Sequence, residues 1–188
     1  MTLRNSAQGY GAIAQGFHWL TLGLVAAMFA IAWYMTGLPL GPEKIKIYNL
    51  HKSIGVLIFT ITLARLTWRQ LSPPPPLPVE MSGLERGAAR ANHAALYFLL
   101  LLQPVMGIFH SWAANFPVVV FGLFTIPSPM APSETLKEIF EFVHACGGWA
   151  ILGLVALHGG AALRHHFLLR NDLLRRMLPI VPRPRRTR

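Results

Sequence analysis

The sequence predicts an all-α integral membrane protein. Its four transmembrane helices form an up-down-up-down bundle with both termini on the cytoplasmic side. Three observations carry this expectation. Of 188 residues, 53% are hydrophobic and 13% charged, with mean hydropathy +0.44, whereas soluble domains carry about 25% charged residues. The apolar residues gather into four runs that reach the roughly 20 residues a spanning helix needs. Lys and Arg are distributed unevenly around those runs. So many large apolar side chains exclude a disordered chain, and the single cysteine, Cys146, excludes a disulfide scaffold. The net charge of +10 does not indicate a nucleic-acid partner, because the arginines flank apolar runs instead of forming a phosphate-binding face.

The first span is expected over about 17–38 and the second over about 49–68. Between them, residues 38–46 carry Gly and Pro breakers. The first span lacks a small-residue cleavage site after it, so it reads as a retained helix. Residues 72–78 are nearly continuous proline, a stiff non-helical spacer. The third span follows over about 91–114. The apolar run Val118–Ile126 is too short to cross and is expected to lie on the membrane surface or fold over the bundle end. Pro127–Pro132 breaks the chain, and Ser133 with Glu134 starts the fourth helix, whose span of about 139–169 exceeds what a bilayer requires. No internal repeat is evident. Residues 1–171 thus form the transmembrane domain, and 172–188 a basic, solvated cytoplasmic tail against anionic lipid.

Cytoplasmic loops are enriched in Lys and Arg. With the N-terminus inside, that side holds Arg4, Arg65, Arg69, Arg86, Arg90, Arg164 and the seven arginines from Arg170 onward, 13 of the 17 basic residues. The outer side keeps Lys44, Lys46, Lys52 and Lys137. Trp19, Trp68 and Trp112 read as interfacial belt residues.

Eight histidines occur in this apolar chain, and polar residues at membrane depth usually mark function. His144 and His158 share the fourth helix. Fourteen residues apart, they differ by only about 40° around the axis and stand about 21 Å apart along it. Each has a candidate partner at its own depth: His51 at the outer start of the second helix, and His18 at the inner start of the first. Two facing imidazole pairs stacked along the membrane normal match two bis-histidine haem b sites. Gly55, Gly147, Gly148, Gly159 and Gly160 lie near these histidines and leave room for a flat ring or a neighbouring helix. His93 begins the third helix at the depth of His18, and spacing leaves both open as the partner of His158. His110 lies about 100° out of phase with His93. A zinc site is disfavoured, because zinc takes three or four ligands at one level. Cys146 reads as a packing residue. His165 and His166 read as interfacial, with quinone contact or proton delivery as their functional alternative.

The segments FHWL around His18, YNLHKSIG around His51, ANHAALY around His93, FGLFTIPSP in the outer loop, FVHACGGWAILGLVALHGGAALRHHF on the fourth helix and the closing LLRRMLP carry a resemblance. They resemble the bacterial cytochrome b561 family of four-helix di-haem membrane proteins over most of the chain. The resemblance implies a multi-pass protein of the bacterial inner membrane with His18, His51, His144 and His158 as haem ligands, favouring His18 over His93. It also implies an oxidoreductase that takes electrons from superoxide outside and delivers them to ubiquinone. On this reading Lys52, Lys44 and Lys46, with Lys137, attract the anionic donor. Arg90, His93, His165 and His166 are the candidate quinone contacts in the cytoplasmic half. Two alternatives stand beside it: a b-type subunit that links a partner dehydrogenase or hydrogenase to quinone, and a transporter or scaffold without haem.

Overall fold

The structure is a computed structural model that describes residues 2–78 and 81–179. Four long helices, α1 (Ala12–Gly37), α2 (Pro42–Leu71), α3 (Gly83–Ala113) and α4 (Glu134–Phe167), dominate it. All four are long and apolar enough to cross a membrane. Leu20, Trp33, Phe98, Trp149 and Leu157 are among the many apolar side chains on their outer faces, as expected where the solvent is lipid. α1 packs beside α2, α2 beside α3 and α3 beside α4.

Each helix starts earlier than its apolar run. α2 begins seven residues before the expected span and α3 eight before. The reason is local chemistry at the helix ends. Pro42 occupies the first turn of α2, where its missing N–H costs nothing. Ser82 and Glu85 form a reciprocal capping box at the start of α3. Ser133 caps α4 by accepting from the Leu136 amide, as expected. Apolarity therefore marks the membrane-crossing portion, whereas capping sets where each helix begins. Pro104 lies inside α3, which membrane helices tolerate when neighbours satisfy the freed groups.

The interior is built on a seven-residue rhythm. Val25, Ile58, Leu100 and Ile151 form a buried layer with one residue from each helix. Each lies seven residues after a histidine: His18, His51, His93 and His144 respectively. Ile151 also lies seven before His158. Seven residues advance about 10.5 Å and return to within about 20° of the same helix face. The four helices thus carry one stripe each, polar near the ends and apolar at the midplane.

Residues 118–126 fold over the outer end as a hairpin, the second of the two placements expected for this run. Strand β1 (Val118–Val120) pairs antiparallel with β2 (Phe124–Ile126). Val118 is fully buried (0% exposed), and β1 lies against α2. Phe121 and Gly122 turn the chain with φ of 49° and 72°, the two positive values of a type I′ hairpin turn. The Ser53 hydroxyl on α2 fastens this turn, accepting from the Phe121 amide at 2.8 Å and donating to the Asn49 carbonyl at 2.7 Å.

The end of the bundle opposite the hairpin is closed by residues 5–11 and 171–178. Asn5 accepts from the Gly11 amide at 2.8 Å and donates to the carbonyls of Ser72 and Pro73 at 2.7 and 3.2 Å. The segment expected to be a solvated tail is instead docked across 171–178. Gln15 and Trp19 donate to the carbonyls of Arg176 and Met177 at 3.3 and 2.8 Å, and Arg176 reaches the Pro76 carbonyl at 2.9 Å. Apolar Leu173, Leu174, Met177 and Leu178 interleave the arginines, which is why the segment does not extend into water. The remaining basic residues from position 180 onward lie outside the described residues.

Replacing Ser82 by Ala removes one arm of the capping box and weakens the other. It should lower stability by about 0.5–2 kcal/mol, read as a reduced Tm of the detergent-solubilised protein with unchanged helix content.

Candidate functional site

Five of the eight histidines group at two depths. At the outer level, α2 carries His51 and α4 carries His144, with ring centroids 6.2 Å apart and planes at 70°. The His144 Nδ1 atom lies 3.0 Å from the Gln103 carbonyl of α3. A carbonyl only accepts, so Nδ1 bears the hydrogen and Nε2 keeps its lone pair. His51 Nδ1 is buried without a hydrogen-bond partner among the described residues.

At the inner level, α1 carries His18 and α4 carries His158, with centroids 6.0 Å apart and planes at 57°. His93 of α3 stands beside them, 5.0 Å from His158. Arg65 places a guanidinium nitrogen 3.1 Å from His18 Nδ1 and stacks on Tyr97 at 5.3 Å. Arg69 lies over the same ring at 6.0 Å. A guanidinium only donates, so the polarity at this Nδ1 is the reverse of that at His144. Tyr10 covers this end, and burial pushes its phenol above the ordinary range.

These spacings test whether the residues suit a haem. Two imidazoles on opposite faces of one iron have centroids about 6 Å apart, from two metal–nitrogen bonds of about 2.0–2.1 Å plus roughly 1.1 Å within each ring. The pairs His51–His144 and His18–His158 fit this spacing, whereas His93–His158 is about 1 Å too close. Neutral imidazoles held between apolar helices are also the donor set that bis-histidine haems use.

At the outer level two of the glycines admit a neighbouring helix, one of the two roles expected for them. A Cβ on Gly147 would collide with the Gln103 carboxamide, and one on Gly148 would come 3.5 Å from it. These glycines make room for Gln103, which donates from Nε2 to the His144 carbonyl. Gly55 leaves only ordinary contact distance to Met28 and Pro104. At the inner level a Cβ on Gly159 or Gly160 would meet nothing within 4 Å. Gly107 escaped the sequence reading: its Cβ would come within 3.0 Å of His144 Cε1. The available signal was a polar Gln in an apolar span followed one turn later by Gly.

The outer lysines do not form one cluster. Lys52, next to His51, donates to the Pro117 carbonyl at 2.9 Å and lies over Phe116. Lys44 donates to the Leu38 carbonyl at 2.8 Å, and Lys46 is exposed. Bonds to carbonyls leave the charges of Lys52 and Lys44 uncancelled, whereas Lys137 is paired with Glu134. His110 faces Glu141 at 3.8 Å.

Two expectations change, for His165 at the inner end and for Cys146 on α4. His165 is buried (4% exposed) instead of interfacial. Its Nδ1 accepts from Asn171 at 2.7 Å, and its carbonyl accepts from the Asn171 amide at 3.0 Å, so it closes α4. His166 lies against Phe167 with Nδ1 buried and unpartnered among the described residues, and Arg90 lies on an exposed face of α3. Cys146 is exposed on the outside of α4, not packed inside, because Gly147 and Gly148 occupy the turn that faces α3. Trp19 and Trp112 each donate to a backbone carbonyl, of Met177 and Ile126 respectively.

A family model described as "Prokaryotic cytochrome b561" matches residues 9–179. The chain is 39% identical over 180 residues to "Cytochrome b561 homolog 2" of Escherichia coli (strain K12), covering 95% of each chain. It is 28% identical over 173 residues to "Probable superoxide oxidase CybB" of Yersinia pestis, covering 90% of this chain and 96% of that one. "Cytochrome b561 homolog 1" of Escherichia coli (strain K12) is also 28% identical, with 86% and 92% covered. The four spans and these matches make the chain a member of the prokaryotic cytochrome b561 family, a multi-pass b-type cytochrome of the bacterial inner membrane that transfers electrons.

Proposed function

We propose that this chain is a superoxide:ubiquinone oxidoreductase with two haems b, one held by His51 and His144 near the outer face and one by His18 and His158 near the inner face. The observation that carries this reading is the repeated 6 Å imidazole spacing at two depths. The superoxide donor is supported by the relative named as a probable superoxide oxidase. Residues 1–171 are the haem-bearing unit, and 172–188 a basic extension whose first part is docked.

When bound, haem supplies one-electron redox chemistry. His51 with His144, and His18 with His158, would hold the irons and keep small molecules off the metal, so that superoxide would meet the ring edge. Lys52 and Lys44 keep a positive charge at the outer end, and Lys46 adds an exposed one. Such a surface concentrates an anion like superoxide. Two superoxide anions each give up one electron and leave as dioxygen. One ubiquinone takes up both electrons with two cytoplasmic protons and leaves as ubiquinol.

At the inner end, His93 and His166 are the imidazoles we assign to proton delivery for quinone, with Arg90 at the surface. His165 has a weaker claim, since Asn171 already engages it. Among the described residues no carboxylate pairs with Arg65. Its guanidinium beside His18 suits the carboxylate side chains that haem b carries.

The alternative is a b-type subunit that receives electrons from a docked dehydrogenase or hydrogenase. The exposed hairpin tip, with Phe121, Leu123 and Phe124, favours it as an apolar docking feature. Purification separates the two: a lone protein whose haem bands are reduced by superoxide supports the first, and a co-purifying metalloprotein the second.

His144→Ala should lose one of two haem equivalents, measured by pyridine haemochrome absorbance, and retain the other. Loss of both or neither counts against separate sites. His93→Ala should keep both equivalents, whereas His18→Ala should lose one.

Haem reduction by superoxide, followed by stopped flow, should slow as ionic strength rises. Lys52→Glu should lower its second-order rate by about tenfold. A flat salt response removes the lysines from the reaction.

A further inference from the structure

Gln103 and His144 are joined in both directions. The Gln103 side chain donates from Nε2 to the His144 carbonyl. The His144 side chain donates from Nδ1 to the Gln103 carbonyl at 3.0 Å. Each residue's side chain therefore grips the other's main chain, across the α3–α4 interface. Two glycines are shaped around this exchange. Gly147 yields the space that the Gln103 carboxamide fills, and Gly107 yields the space for the His144 ring, its Cβ position lying 3.0 Å from Cε1.

The inner level has no such arrangement. Asn92 of α3 donates to the Leu154 carbonyl at 3.2 Å, one turn before His158, and this contact leaves the His158 ring untouched. His18 has a cationic donor at Nδ1 instead of a carbonyl. The two levels thus differ in the sign of the group that faces an imidazole Nδ1.

We propose that Gln103 is the positioning residue of His144, fixing the ring's tautomer through its carbonyl and the ring's parent turn through its carboxamide, and so holding the outer haem at the lower reduction potential of the two. This rests on the functional reading above, in which His144 binds iron. A ligand imidazole whose N–H is bonded to a carbonyl is a stronger electron donor. It favours the oxidised metal and lowers the potential, whereas the positive charge of Arg65 beside His18 disfavours the oxidised metal at the inner level. Electrons arriving from outside then run downhill to the inner level.

The test is a redox titration of the purified, haem-loaded protein, with the electron paramagnetic resonance spectrum of each ferric haem as a second readout. In Gln103→Ala, one midpoint potential should rise and the other stay. Gln103→Met keeps the bulk without the donor and should behave like Gln103→Ala. Gly147→Ala displaces the carboxamide and should give the same rise, with no further rise in the double variant Gln103→Ala/Gly147→Ala. Gly107→Ala leaves Gln103 intact and crowds the ring, so it should alter the spectrum of that same haem alone.

Unchanged potentials with both haems bound overturn the proposal, as do equal shifts of both haems or additive shifts in the double variant. If the Gln103 variants fail to accumulate, Gly107→Ala decides, and an unaltered spectrum overturns the proposal. A wild-type protein that lacks two haems sinks the functional reading itself. A wild-type protein with two haems that ignore Gln103 sinks only this inference.

Discussion

A neutral imidazole sunk between apolar helices is costly unless its nitrogens find partners. This constraint organises the molecule. It accounts for the grouping of five histidines at two depths, the polar residues of α3 that reach α4, and the arginine that approaches His18. The apolar layer of Val25, Ile58, Leu100 and Ile151 then has its position dictated. It fills the one depth at which no polar group has to be satisfied.

Both ends of the bundle show how backbone groups are satisfied where the helices stop. Outside, a hairpin brings its own ladder of hydrogen bonds and borrows the Ser53 hydroxyl for its tightest turn. Inside, Asn5, Gln15, Trp19 and Arg176 bind carbonyls of segments distant in sequence. Asn5 and Arg176 are thereby tied to the proline spacer, and residues 176–177 to α1. These contacts depend on side chains that meet only after the helices have assembled.

That distinction explains what could be read from residues alone. The four spans were legible because lipid imposes length and apolarity on a single continuous segment. The pairs His51–His144 and His18–His158 were legible as depth-matched candidates because helix rise converts sequence spacing into height. Gln103 and Gly107 were not, since their importance lies in a contact across two helices. His165 was misread for lack of its partner Asn171. Cys146 was misread because an apolar span does not reveal which of its faces meets lipid. The helix starts at Pro42 and Gly83 were missed because a capped, polar first turn carries no hydropathy signal.

The midplane layer has a further consequence. Its four residues carry no titratable group and no hydrogen-bonding side chain. Charge that crosses it on the proposed route is unaccompanied by protons. Each such transfer is electrogenic, and a membrane that is negative inside opposes it by up to about 2.3 kcal/mol per charge for every 100 mV. On that proposed route, the rate at which electrons leave the outer face is tied to the energisation of the cell.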